Sequence, residues 1–256
     1  MIAESIGRIS AGNIPVTYLR GKNQHCLRVA LVQAGFSPTA KVLDNVRKHR
    51  TITEELVKIT REHGLAPDIV LFQELSTYGG MLRRNIIPSN LEETEILHAF
   101  QALSRQCQTS IGFGRIRQGQ TGHHNCYTIV SPIIEEEPFN CDKALADVPS
   151  LSAGSGPAIF AKYRILIAIC DDYIRLVKPN PFLQQPVSLL VRPSCTTNMG
   201  VESTWMLRFV YSEPIAVINH TGKDIYGFSA YSESSTLTHS MNHFEEEVLL
   251  VDVPKA

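Results

Sequence analysis

The type and order of its apolar runs predict a mixed α/β (α+β) domain. Three observations carry this. Short continuous apolar runs suit buried strands, two long segments near the start have helical spacing, and strand-like runs dominate later. The chain shows no internal repeat, low-complexity tract or convincing linker. Its 256 residues are enough for one large core or two modest ones.

Residues 1–26 are mixed and show no clear period, which leaves an added strand, a dimer arm or disorder all open. They are set apart as an N-terminal extension to a single domain over 27–256. Leu27 to Val32 reads as a strand bounded by Gly35 and Pro38. Thr39 to His63 reads as a helix with Val42, Val46, Leu56 and Ile59 on one face, Gly64 as its stop and Pro67 beyond. Ile69 to Phe72 is a continuous apolar strand, which argues for burial on both faces. Ser89 with Glu92 three residues later forms a capping box, and Ile96, Phe100, Leu103 and Cys107 follow at helical spacing.

Ser110 to Arg115 and Tyr127 to Ser131 are strand-like, with the glycine-bearing stretch from Arg117 to Gly122 as the turn between them. Further short apolar runs are Ile165 to Ile169, Val187 to Val191, Ile215 to Asn219 and Val248 to Val251. Met206, Phe209 and Val210 suit a helical face after Trp205, and the proline-bearing stretch from Lys178 to Pro186 reads as a long loop.

Composition excludes several classes. Charged residues make up 19% of the chain and the net charge is −1, so there is no electrostatic case for nucleic acid or an anionic membrane. No apolar run approaches the roughly 20 residues that span a bilayer. The first residues lack the basic and apolar regions of a secretory signal. The six cysteines are scattered without a CxxC pair, which suits reduced thiols in a cytoplasmic protein and argues against structural zinc. His239 and His243 share a helical spacing, but no glutamate follows His239 as a zinc peptidase motif requires. No metal site is expected. His123-His124 precede a strand and suit a turn or a pocket rim. Arg83-Arg84 and the two glutamate runs read as solvated surface.

Three residues stand out chemically. Cys170 ends the run Ile165-Leu166-Ile167-Ala168-Ile169 and opens into Asp171-Asp172. Glu74 ends the run from Asp68 through Gln73, and Lys143 lies in a polar stretch between the two. A thiol attacks a carbonyl or nitrile carbon as thiolate, which a nearby base or cation must favour. Glu74 suits that base, and Lys143 suits the developing oxyanion with the N–H of Asp171 as a second donor. Taken singly, each is ordinarily structural or solvent-facing.

Their setting resembles a known family. Leu27 to Gln33 looks like the opening strand of the nitrilase (carbon–nitrogen hydrolase) superfamily. Gly64 through Glu74 resembles its glutamate motif, with Gln73 where proline is usual. Asn125-Cys126-Tyr127-Thr128-Ile129-Val130 resembles the strand leading to its lysine, and Arg164 through Asp172 its cysteine motif. Leu189 to Ser194, Trp205 with Arg208, Val217-Ile218-Asn219 before Gly222, and Gly227-Phe228-Ser229 also match, so the resemblance runs from about Leu27 to Pro254.

The resemblance implies a four-layer α-β-β-α sandwich paired into a homodimer or larger assembly. It implies a Glu74-Lys143-Cys170 triad, a thioester intermediate and no cofactor. The activity implied is hydrolysis of non-peptide carbon–nitrogen bonds in a small-molecule amide or nitrile, most often as an amidase. Asp171, Asn125 and Ser194 are the candidate substrate-binding positions. Two departures bear on this. No second glutamate follows Lys143, Asp147 being the only carboxylate before Cys170, and the interval to Cys170 is short. Lys162 is the only other lysine there, and it stands close to the strand. Asp171 occupies a place where an aromatic residue is common, and a carboxylate there disfavours thiolate. An inactive binding relative, an acyltransferase and an ammonia-supplying relative are the alternatives.

Overall fold

A computed structural model describes residues 3–21, 26–79, 87–144, 146, 150–173, 185–195, 213–221, 229–233, 236–241 and 245–256. The first sheet is built around β3 (Cys26–Gln33). It lies antiparallel to the last strand, β14 (Glu247–Pro254), and parallel to β4 (Ile69–Leu71). Beyond β4 come β5 (Ser110–Gly119), β6 (Gly122–Val130) and β7 (Phe139–Asp142). On the far side of β14, β2 (Ile14–Leu19) pairs parallel to it and β1 (Ala3–Ile9) pairs with β2. Residues 3–19 therefore add a hairpin to the sheet edge. β1 is mostly exposed and its register shifts between Ser5 and Gly7, so no burial period was there to read.

Two helices cover the outer face of this sheet. α1 (Val42–Glu62) starts later than the expected Thr39 because Ser37 Oγ accepts the N–H groups of Thr39 and Ala40, holding that stretch in a turn. It stops as expected. Gly64 at φ +68 lets its own N–H reach Arg61 O and that of Leu65 reach Thr60 O. α2 (Asn90–Cys107) opens on Ser89, whose side chain accepts the Glu92 N–H at 3.2 Å. The β5–β6 turn is shorter than expected. Arg117 and Gln118 stay in the ladder opposite His124 and His123, leaving Gln120 and Thr121 as the connection.

The second sheet runs β13 (Thr236–Ser240), β12 (Ala230–Glu233), β11 (Ile215–Ile218), β10 (Leu189–Pro193), β9 (Ile165–Ile167) and β8 (Ala158–Phe160). β9, β10 and β11 are parallel and wholly buried, as their unbroken apolar runs require. Strand alternation sorts the core into layers. Val70 and Phe72 face the helices with Ile96 and Phe100, whereas Ile69 and Leu71 face the other sheet with Ile167 and Val191. Leu166, Leu190 and Ile215 on the outer face of the second sheet are buried as well. The connections into β10 and β11 run through 174–184 and 196–212, so the expected helical face at Met206, Phe209 and Val210 lies outside the described residues. The architecture is an α-β-β-α sandwich. Among the described residues no helix is long and apolar enough to cross a membrane.

His49 on α1 sits wholly within the helix–sheet core. It stacks on Phe36 at 4.0 Å and meets Phe72 and Phe100 edge-on. Its Nδ1 donates to Asn45 O, and its Nε2 has no hydrogen-bond partner among the described residues. Burial holds the imidazole neutral, with its pKa down to about 3 for His49 and about 4 for His220, whose ring centroid lies 6.4 Å from that of Phe36. The unfolded chain takes up these protons near the ordinary value of 6.5. Stability is therefore full above that pH and is lost as pH falls toward the folded values. His49 alone removes roughly 2–3 kcal/mol between about pH 6.5 and about pH 4.5. Urea midpoints at those two pH values check this: His49→Phe shrinks the acid loss, and an unchanged loss rules out His49 as its source.

Candidate active site

Glu74, Lys143 and Cys170 each stand just past the carboxyl end of a strand. After β4 the chain leaves the sheet through Phe72, whose carbonyl accepts the Tyr127 hydroxyl at 2.7 Å. Gln73 stands where proline is usual in the family it resembles, and its amide donates to Ala34 O at 2.5 Å. Leu75 then turns the chain at φ +50. This bend lies directly on the β5 backbone. A Cβ added at Gly114 would fall 2.1 Å from Leu75 N and 2.7 Å from the Glu74 carbonyl carbon. Only glycine allows that approach.

Lys143 follows β7, where its N–H donates to Asn125 O at 2.8 Å and its carbonyl accepts from Gly154 N at 2.7 Å. Its ammonium reaches Glu74 Oε1 at 3.1 Å. Asn125 projects from β6 into the same space and donates Nδ2–H to the same oxygen at 2.7 Å. Glu74 is 3% exposed and Lys143 4%, so this is a buried ion pair with an amide holding the carboxylate.

Cys170 follows β9 and is also 3% exposed. It adopts φ +46, a left-handed conformation that costs a non-glycine residue about 1–3 kcal/mol. Three contacts hold it there. Asp172 N–H donates to Ile169 O at 2.9 Å, Asp172 Oδ2 accepts Ala144 N–H at 2.8 Å, and Arg192 Nε donates to Cys170 O at 2.8 Å. The Asp172 contact ties the cysteine turn to the residue next to Lys143.

The thiol is pushed well above its ordinary value, first by burial and next by the Glu74 carboxylate; Lys143 opposes this, Asp171 adds to it and Arg192 opposes it. Glu74 and Lys143 act on the sulfur more strongly than adjacent Asp171 does. The resting sulfur is a thiol beside a carboxylate, not a standing thiolate.

The other candidates fall differently. Asn125 grips Glu74, which gives it a role at the carboxylate. The Asp171 side chain is 51% exposed and lies 3.8 Å from Arg192 Nη2. Ser194 is buried past β10, with its N–H on Ile218 O and its hydroxyl without a partner among the described residues. Asp147 and Arg83-Arg84 lie outside the described residues, as does His243, while His239 meets Glu247 at 3.1 Å. His124 rims an open polar depression of about 520 Å³ at the β5–β6 turn, with Arg117 and Asp142. Sequence reasoning missed Arg192 and Asp172. An arginine directly after the apolar run Leu189-Leu190-Val191 was the available signal, since a charge on a buried strand needs partners.

The chain has the fold of the carbon–nitrogen hydrolase (nitrilase) superfamily. No family model matches the sequence, and no curated protein sequence matches it. Similar solved structures include an amidase from Nesterenkonia sp., at 15% identity and a TM-score of 0.73, with 91% of this chain and 92% of that chain covered. A CN-hydrolase superfamily protein from Xanthomonas campestris gives 15% identity, a TM-score of 0.68 and coverage of 90% and 91%. A glutamine-dependent NAD+ synthetase from Acinetobacter baumannii gives 18% identity and a TM-score of 0.69, matching 88% of this chain but 45% of that one.

Gly114→Ala pushes the Glu74 bend off β5. We expect a loss of about 1–3 kcal/mol in denaturant unfolding. Wild-type stability would show that the bend has room.

Proposed function

We propose that the protein hydrolyses non-peptide carbon–nitrogen bonds in small molecules through a thioester on Cys170, with amides as the preferred class and carbamoyl compounds or nitriles as relatives. What supports this is the buried Glu74–Lys143 pair, 3.1 Å apart, whose charges both act on the buried Cys170 thiol. The similar amidase adds support, since in a mutant of that enzyme acrylamide has added to the active-site cysteine.

The chemistry follows from the placement. As substrate arrives, Glu74 takes the thiol proton and the sulfur bonds to the carbonyl carbon. The oxygen that gains the electron pair is met by the Lys143 ammonium and the Asp171 N–H. Glu74 returns the proton to the departing nitrogen, and ammonia or an amine leaves. Glu74 next deprotonates water, which attacks the thioester; the acid leaves and the thiol re-forms.

Ammonia release from a panel of small amides tests this reading. Cys170→Ala and Cys170→Ser are each expected to lower it by at least about 1,000-fold with the fold retained. Activity kept in either variant overturns the reading. Glutamine belongs in the panel, because the likeness to part of a glutamine-dependent synthetase favours ammonia supply to a partner as the second reading. A homodimer is part of the same proposal: α1 exposes Leu43 and α2 exposes Leu91 on the outer helical face. A monomer in light scattering at micromolar concentration removes that part.

A further inference from the structure

We propose that Arg192 is a positioning residue for the oxyanion step: by holding the Cys170 carbonyl, it aims the N–H of Asp171 into the site. The inference rests on reading Cys170 as the nucleophile. Arg192 is 0% exposed and the largest fully buried side chain among the described residues. It stands on β10, which runs parallel to β9 with Val191 opposite Ile167, so it lies beside the point where the chain leaves β9 for the cysteine. Its Nε donates to Cys170 O at 2.8 Å, and Nη2 lies 3.8 Å from the Asp171 carboxylate.

A trans peptide unit is planar, so its C=O and N–H point in opposite directions. The C=O of the Cys170–Asp171 peptide is turned toward Arg192. The N–H of the same unit therefore points to the other side. Cys170 at φ +46 has no strand ladder to hold this orientation. A buried guanidinium does so through a charge-assisted bond. Without it the left-handed residue is free to relax, the peptide plane turns, and the second oxyanion donor is lost while Lys143 remains.

Two reagents separate this role from a general one. Acetylation by p-nitrophenyl acetate bonds the sulfur to the acyl carbon, passes through an oxyanion and expels p-nitrophenolate as the thiol proton goes to Glu74. Alkylation by iodoacetamide displaces iodide at a saturated carbon and develops no oxyanion. Both need the thiolate, so any effect of the Arg192 charge on the thiol slows both alike. The ratio of the two rates isolates the oxyanion donor.

The experiment follows both modifications of Cys170 by peptide mass spectrometry in the full chain, for wild type, Arg192→Met and Arg192→Gln. Arg192→Met is expected to slow acetylation roughly 10- to 100-fold beyond any slowing of alkylation. Arg192→Gln keeps a donor without the charge and is expected to fall between Arg192→Met and wild type. An acetylation-to-alkylation ratio equal to wild type in Arg192→Met overturns the proposal. If that variant does not fold, the same result in Arg192→Gln overturns it. Wild-type Cys170 reacting with both reagents no faster than the other five cysteines overturns the nucleophile reading and this proposal with it.

Discussion

Lys143 and Glu74 meet at 3.1 Å in a place where neither charge is open to water. Taking each out of solvent costs several kcal/mol, and their attraction offsets that only while further hydrogen bonds complete the shell. Asn125 supplies one by donating to the same carboxylate oxygen that Lys143 reaches. Both partners are therefore committed: removing either leaves an uncompensated charge in the interior. A pair bound in this way holds its carboxylate and its ammonium at one point.

The frame delivers three strand ends to that point. Glu74 comes off β4, Lys143 off β7 and Cys170 off β9, the first two from one sheet and the last from the other. Sites of this kind form past the carboxyl ends of strands because the ladders end there and the chain is free to bend. Each bend is met by a specific contact: the Gly114 backbone beneath Glu74, the Asn125 carbonyl beside Lys143, and the Arg192 and Asp172 side chains around Cys170. The left-handed turns at Leu75 and Cys170 are met by Gly114 and Arg192, neighbours far away in sequence.

Much of this was legible in the chain. The buried strands at Ile69 and Ile165 announced themselves as unbroken apolar runs, and the Ser89 cap and Gly64 stop were readable because their partners lie within a few residues. Glu74, Lys143 and Cys170 could be picked out from motifs around each of them. In the edge hairpin at residues 3–19, β1 was not legible because an exposed strand carries little burial period, whereas the alternation of Ile14, Val16 and Tyr18 in β2 was there to read. Arg192 was passed over because its partner is the Cys170 carbonyl, and nothing local to Leu189–Ser194 points there.

The sequence by itself determined the local conformations: which stretches are strand or helix, where caps and stops fall, and which residue types stand at strand ends. Only the tertiary structure decided which of those ends meet. It put Asn125 on Glu74, set the two histidines around Phe36 apart from water, and brought a buried guanidinium to the Cys170 carbonyl. The physical reason is range. Caps, turns and periodicity act over a few residues, whereas the Glu74–Lys143–Cys170 constellation depends on the register of two sheets and the closeness with which they pack.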